Sequence, residues 1–123
     1  MQATTPVVAI IDDDQSTRRA LRRLILSLSY SPTDYASGDA FLESLPQSRP
    51  GCALLDLHMP GLNGLEVLLR MRSDGLEVPT IIITANATAD MRGLCLKAGA
   101  AAYLTKPLDP ALLAAAIEAA MQA

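Results

Sequence analysis

Five polar residues stand where apolar runs of the chain end. Asp12 and Asp13 follow Val7-Val8-Ala9-Ile10-Ile11, Asp56 follows residues 52–55, Thr84 follows residues 80–83, and Lys106 comes just after residues 101–104. If those runs are strands of one parallel sheet, all five side chains collect on one rim. Three carboxylates brought close together repel one another, and at least one must take up a proton unless a cation neutralises them. A hard, oxygen-seeking divalent ion such as magnesium (Mg2+) suits that need, because it takes one or two carboxylates and keeps waters for a phosphate. A carboxylate held beside such an ion can attack phosphorus and form an aspartyl phosphate. Lys106 brings a mobile positive charge for phosphoryl oxygens, and the Thr84 hydroxyl can donate a hydrogen bond to them. Each residue alone has a plainer explanation, since polar side chains often mark where a strand leaves the core. Four strand ends carrying complementary chemistry point to a site.

The elements that must position these residues are legible in the hydrophobic pattern. The apolar runs are continuous rather than alternating, as expected of strands buried on both faces of a parallel sheet. Helical patterns separate them. After Asp14, Leu21, Leu24, Ile25 and Leu28 recur at i, i+3, i+4 and i+7, with Arg18, Arg19, Arg22 and Arg23 on the opposite side. Those arginines read as a solvated face, or as a surface that docks an acidic partner beside the site. Asp14 itself is expected to cap this helix. Further helices are expected over residues 38–45, 64–72, 88–98 and 109–121, so strand and helix alternate throughout, which implies an α/β fold with right-handed crossovers. The second strand, residues 31–35, is short and polar and contains Pro32, which suits a sheet edge. The expectation is a flavodoxin-like, doubly wound, five-stranded parallel sheet in the order 2-1-3-4-5 with five helices. Its ligand site lies at the carboxyl ends of the strands, where the order reverses.

Bulk properties bound the function. With 123 residues, 50% apolar and 19% charged, residues 1–123 read as one compact domain that needs neither disulfide nor structural metal. Cys52 and Cys95 lie far apart inside apolar runs without metal-ligand spacing, and read as small core side chains. A net charge of -3 argues against direct nucleic-acid binding, which needs a basic face. The amino-terminal residues lack a signal pattern and no apolar run approaches the roughly 18 residues of a membrane span, so a cytoplasmic protein is expected.

From Val7 to about Met121 the sequence resembles the receiver domains of two-component response regulators. The matching motifs are Ile10-Ile11-Asp12-Asp13-Asp14, Leu54-Leu55-Asp56-Leu57-His58-Met59-Pro60-Gly61, Gly64, Ile82-Ile83-Thr84-Ala85, Lys97-Ala98-Gly99-Ala100 and Tyr103-Leu104-Thr105-Lys106-Pro107. The wording around Asp56 and Lys106 is similar to receivers of nitrogen-fixation and LuxR-type transcriptional regulators. The resemblance implies Asp56 as phosphoacceptor, and Asp12, Asp13 and Asp56 as magnesium carboxylates with the backbone carbonyl of His58 as a further ligand. It implies Thr84 and Lys106 as phosphate-sensing residues and a cis bond before Pro107 that aims the lysine into the site. It also implies a sensor histidine kinase or histidine phosphotransfer protein as donor, and Tyr103 as an aromatic switch that turns inward when the Thr84 hydroxyl moves to the phosphate. It leaves open the effect of His58 and Asn86, two residues beyond Asp56 and Thr84.

The output face is expected on the fourth helix, fifth strand and fifth helix. Gly93 weakens the fourth helix, where Met91, Leu94, Cys95 and Ala98 share a face and Leu96 points away. In the last helix Leu112, Leu113, Ala116, Ile117, Ala120 and Met121 form the expected packing stripe. The remaining face, with Ala111, Ala114, Ala115 and Ala119, carries little besides Glu118 and Gln122. Such a bare face suits close approach of another surface, most simply in a phosphorylation-dependent homodimer, or is an alanine-rich helix that is merely stable. Three other readings compete. A haloacid-dehalogenase-type phosphatase would use Asp12 and Asp14, but leaves Asp56 unexplained and lacks the final acidic pair. Flavin binding is opposed by the acidic first loop, and a degenerate receiver by the full set of chemical residues.

Overall fold

The computed structural model describes residues 5–122. Five strands alternate with five helices: β1 (Val7–Ile11), α1 (Gln15–Ser27), β2 (Ser31–Tyr35), α2 (Gly38–Ser44), β3 (Cys52–Asp56), α3 (Gly64–Ser73), β4 (Thr80–Thr84), α4 (Ala89–Lys97), β5 (Ala102–Thr105) and α5 (Pro110–Met121). The strands form one parallel sheet in the order β2-β1-β3-β4-β5, the flavodoxin-like order expected. β2 is an edge strand, so Pro32 is accommodated there.

The period of two along each strand divides the core into two layers. Ala9, Ile11, Ala53, Leu55 and Ile82 face one side, where Phe41, Val67, Leu68, Met71 and Cys95 of α2, α3 and α4 cover them. Val8, Ile10, Leu54, Ile81 and Ile83 face the other, under Leu21 and Ile25 of α1 and Leu113 and Ile117 of α5. Both cysteines are buried and unpaired, and burial pushes the Cys52 thiol up to about 12, so it behaves as a small apolar side chain.

Two apolar residues depart from the expected stripes. Leu112 is 61% exposed, because the buried stripe of α5 is Leu113, Ile117 and Ala120, and one residue is about 100° around a helix. Leu94 is 50% exposed rather than packed with Met91, Cys95 and Ala98. α4 rests on the sheet through the small, buried Cys95 and Ala98, leaving Leu94 beside the contact together with Leu96, which is 40% exposed. β5 also begins one residue later than expected, with Ala101 outside it. Among the described residues no helix is long and apolar enough to cross a membrane.

Helix termini use local chemistry. Asn63 accepts from the Glu66 amide while the Glu66 side chain accepts from the Asn63 amide, a reciprocal cap that starts α3. Immediately after it, Gly64 lies so close to β3 that a Cβ there would come within 2.9 Å of the Asp56 carbonyl oxygen and 3.0 Å of Leu57 Cα. Gly93 is the opposite case: in the middle of α4, a Cβ would meet nothing within 4 Å.

The same glycine-to-alanine change should therefore have opposite signs at these positions. In urea unfolding, Gly64→Ala is expected to lose roughly 1–3 kcal/mol by overpacking against backbone. Gly93→Ala should gain about 0.5–1 kcal/mol from helix propensity. Equal effects at both would contradict the packing described.

Candidate functional site

Strand register brings the polar residues to one rim. Ile11 pairs with Leu55, so the next residues, Asp12 and Asp56, stand side by side at the carboxyl ends of β1 and β3. Asp56 pairs with Ile83, and Thr84 with Thr105. The ladder continues past the strands through Leu57 N–H to the Ile83 carbonyl at 2.9 Å and Lys106 N–H to the Thr84 carbonyl at 2.8 Å. The rim lies where the order reverses between β1 and β3.

Asp12, Asp13 and Asp56 present carboxylate oxygens that all lie within 4.8 Å of one another. Asp12 and Asp56 are buried and Asp13 is exposed. Asp12 is held on both oxygens, accepting from the Asp14 amide at 2.9 Å through Oδ1 and facing Lys106 Nζ at 3.4 Å through Oδ2. Asp56 accepts from the His58 amide at 3.3 Å. Burial of the Asp56 carboxyl, followed by the negative charge of Asp12, raises its pKa above the ordinary carboxylate range, against smaller opposing effects of Lys106 and the His58 amide. An all-oxygen donor set of this charge suits magnesium.

Thr84 is fully buried, and its Oγ1 accepts from the Asn86 amide at 3.1 Å. That bond occupies the oxygen and leaves the hydroxyl proton available to donate. The Lys106–Pro107 peptide is cis. The His58 side chain is exposed. Asp14 is turned away from the cluster to cap α1, accepting from Thr17 Oγ1 at 2.6 Å, Ser16 Oγ at 2.8 Å and the Thr17 amide at 3.1 Å. The Thr17 hydroxyl is the main cause of its lowered pKa. This leaves Asp14 no part in an acid pair with Asp12, as the phosphatase reading would need.

Tyr103 is 6% exposed, its ring turned into the layer under α4. Its hydroxyl lies near the Thr88 backbone but has no hydrogen-bond partner among the described residues. Arg92 of α4 covers the ring at 5.9 Å from its centroid and reaches the Tyr103 carbonyl at 3.4 Å.

Sequence reasoning did not find Arg92, nor the inward reach of Arg18, whose Nη1 donates to the Asp12 carbonyl at 2.8 Å. The available signal was Asp34, a lone acid on the edge strand next to an arginine-rich helix. It pairs with Arg18 at 3.2 Å and Arg22 at 3.0 Å.

Known proteins resemble this chain in sequence and in fold. A family model described as the response regulator receiver domain matches residues 8–118. The chain is 35% identical over 115 residues to transcriptional regulatory protein FixJ of Bradyrhizobium diazoefficiens, covering 94% of this chain and 56% of that protein. It is 34% identical over 122 residues to response regulator protein TodT of Pseudomonas putida, covering 99% of this chain and 54% of that protein. The crystal structure of a response regulator receiver protein from Burkholderia phymatum matches with a TM-score of 0.83 and 44% identity over 96% of each chain. The chain thus spans about half the length of these curated relatives.

The raised pKa of Asp56 has a consequence for stability. An acid whose folded pKa lies above its unfolded value binds protons more tightly when folded. Its contribution to stability is full below the ordinary carboxylate range and is lost as pH rises through the raised folded value. Metal-free Asp56→Asn should therefore be more stable than the wild type at neutral pH, with the gap closing on acidification. A urea-denaturation series across pH measures this; a variant less stable at neutral pH would contradict the electrostatic account.

Proposed function

Because this chain belongs to the response regulator receiver domain family of two-component systems, we propose that it is a signalling switch that accepts a phosphoryl group on Asp56. The observation that carries this reading is the convergence of Asp12, Asp13 and Asp56 with Thr84 and Lys106 on one rim. Asp12, Asp13 and Asp56, with the His58 carbonyl, would hold magnesium, which when bound neutralises the cluster and the incoming phosphoryl oxygens.

In the proposed reaction a carboxylate oxygen of Asp56 attacks the phosphorus of a phosphohistidine on a sensor kinase or phosphotransfer protein, or of a small phosphodonor. With phosphohistidine the new O–P bond replaces the P–N bond and the departing imidazole takes a proton from solvent; with a small phosphodonor it replaces that donor's bond to phosphorus and releases its own leaving group. Lys106, now paired with Asp12, pairs instead with a phosphoryl oxygen. The Thr84 hydroxyl donates to another. The difference in these contacts between the two states limits how far the phosphoryl group can bias the fold.

The proposed output surface is α4, β5 and α5, with a homodimer as its simplest partner. Leu94, Leu96 and Leu112 are exposed there, and the outward face of α5 is otherwise largely alanine. Movement of the Thr84 hydroxyl toward the phosphoryl group would favour the inward position of Tyr103. Direct nucleic-acid binding is not part of the proposed role of this domain, given its net charge of -3. A cytoplasmic location is proposed, in keeping with its two free, buried thiols.

Incubation with a small phosphodonor and magnesium should add one phosphoryl mass to the wild type and none to Asp56→Asn, and chelator should abolish the gain. An adduct mapped to Asp12, or equal labelling in chelator, would overturn the assignment. Sedimentation with a beryllium fluoride phosphate mimic should show self-association that Leu112→Glu suppresses without affecting labelling of Asp56. Binding of the mimic with no change in association would move the output to another face.

A further inference from the structure

Two of the four α1 arginines reach across to neighbouring elements. Arg18, only 16% exposed, donates from Nη1 to the Asp12 carbonyl at 2.8 Å and from Nε to Asp34 Oδ2 at 3.2 Å. Arg22 takes the other Asp34 oxygen, Oδ1, at 3.0 Å. Asp34 is fixed in its turn by β2, where it pairs in register with Ile10 of β1. The edge strand, the first helix and the acidic loop are thus tied through one carboxylate.

Asp12 is held at four points, the first being its own amide, which donates to the Tyr35 carbonyl of β2 at 3.2 Å. Its side chain is bound by the Asp14 amide and faces Lys106, while Arg18 is, among the described residues, the one donor to the carbonyl of the peptide that joins Asp12 to Asp13. The plane of that peptide sets the direction in which the Asp13 side chain departs. Asp13 is exposed, and among the described residues its carboxylate has no hydrogen bond to hold it. The aim of Asp13 toward Asp56 therefore rests on the backbone that Arg18 clamps.

We propose that Arg18, clamped by Asp34, is a positioning residue for the metal centre, holding the Asp12–Asp13 peptide so that both carboxylates face Asp56. This rests on the reading of the rim as a magnesium site. Two effects of removing Arg18 oppose each other. Loss of a positive charge near the cluster attracts a cation more strongly, whereas loss of the clamp loosens the ligands. Contacts that orient metal ligands are typically worth about 10–100-fold in affinity, whereas the Arg18 charge is already largely offset by its ion pair with Asp34. Loosening wins.

The test is a magnesium titration of the full chain, read by the amide shifts of residues 12–14 and 56–58. Arg18→Gln should bind magnesium about ten-fold more weakly than the wild type. Asp34→Asn, which breaks the clamp and keeps the arginine charge, should also weaken binding. The double variant should lose less than the sum of the two, because they share one interaction. Arg19→Gln removes the same charge from an exposed position on the same helix and should bind at least as tightly as the wild type. Arg18→Lys keeps the charge but lacks the fork that spans both acceptors; it should fall between, and answers the question if Arg18→Gln does not fold. Binding by Arg18→Gln, or by Arg18→Lys in its place, as tight as the wild type would overturn the positioning role while leaving the metal centre intact. A wild type whose shifts do not respond to magnesium would overturn the metal centre itself.

Discussion

Three carboxylates whose oxygens approach within 4.8 Å form an arrangement that a folded chain has reason to avoid. Unit charges 4 Å apart interact by about 4 kcal/mol at the effective dielectric of a protein surface, and here two of the three acids are buried. Much of the surrounding structure answers this crowding. Lys106 faces Asp12, the amides of Asp14 and His58 turn toward Asp12 and Asp56, and the Arg18 guanidinium binds the Asp12 carbonyl. These contacts are donors or positive charges aimed at one rim, and they do not remove the strain on Asp56, whose pKa remains raised by burial and by Asp12. A divalent cation bound there would act on a site whose acids are already crowded by the fold.

Such a site needs a scaffold that does not relax around it. The sheet supplies it through two apolar layers, one under α2, α3 and α4 and one under α1 and α5, with β3 and β4 wholly buried between them. The close seat of Gly64 on the end of β3 fixes the loop that follows Asp56. α4, by contrast, is a nine-residue helix with an unpacked glycine and only small side chains, Cys95 and Ala98, at its buried contact.

The fold was largely legible in the sequence because its signals are redundant. Continuous apolar runs, the poor edge strand with Pro32 and the alternation of patterns all lead to one topology, and strand ends then carry Asp12, Asp56, Thr84 and Lys106 to a common rim. What was not legible depends on angles finer than periodicity resolves. Leu112 and Leu113 are both leucines at neighbouring positions, and only the seating of α5 decides which is buried. The arginines of α1 look alike in sequence, yet Asp34 selects Arg18 and Arg22 because β2 passes beside that face of the helix. The inward place of Tyr103 with Arg92 over its ring likewise depends on how α4 lies on β5.

Crowded and partly buried, the acidic rim is a place where a cation would relieve repulsion. Carbon-detected titration of the aspartate carboxyl groups, with and without magnesium, measures this directly. Asp56 should titrate above the ordinary carboxylate range in the metal-free protein and move down when magnesium is added. An Asp56 carboxyl that titrates like a solvent-exposed aspartate and ignores magnesium would contradict it.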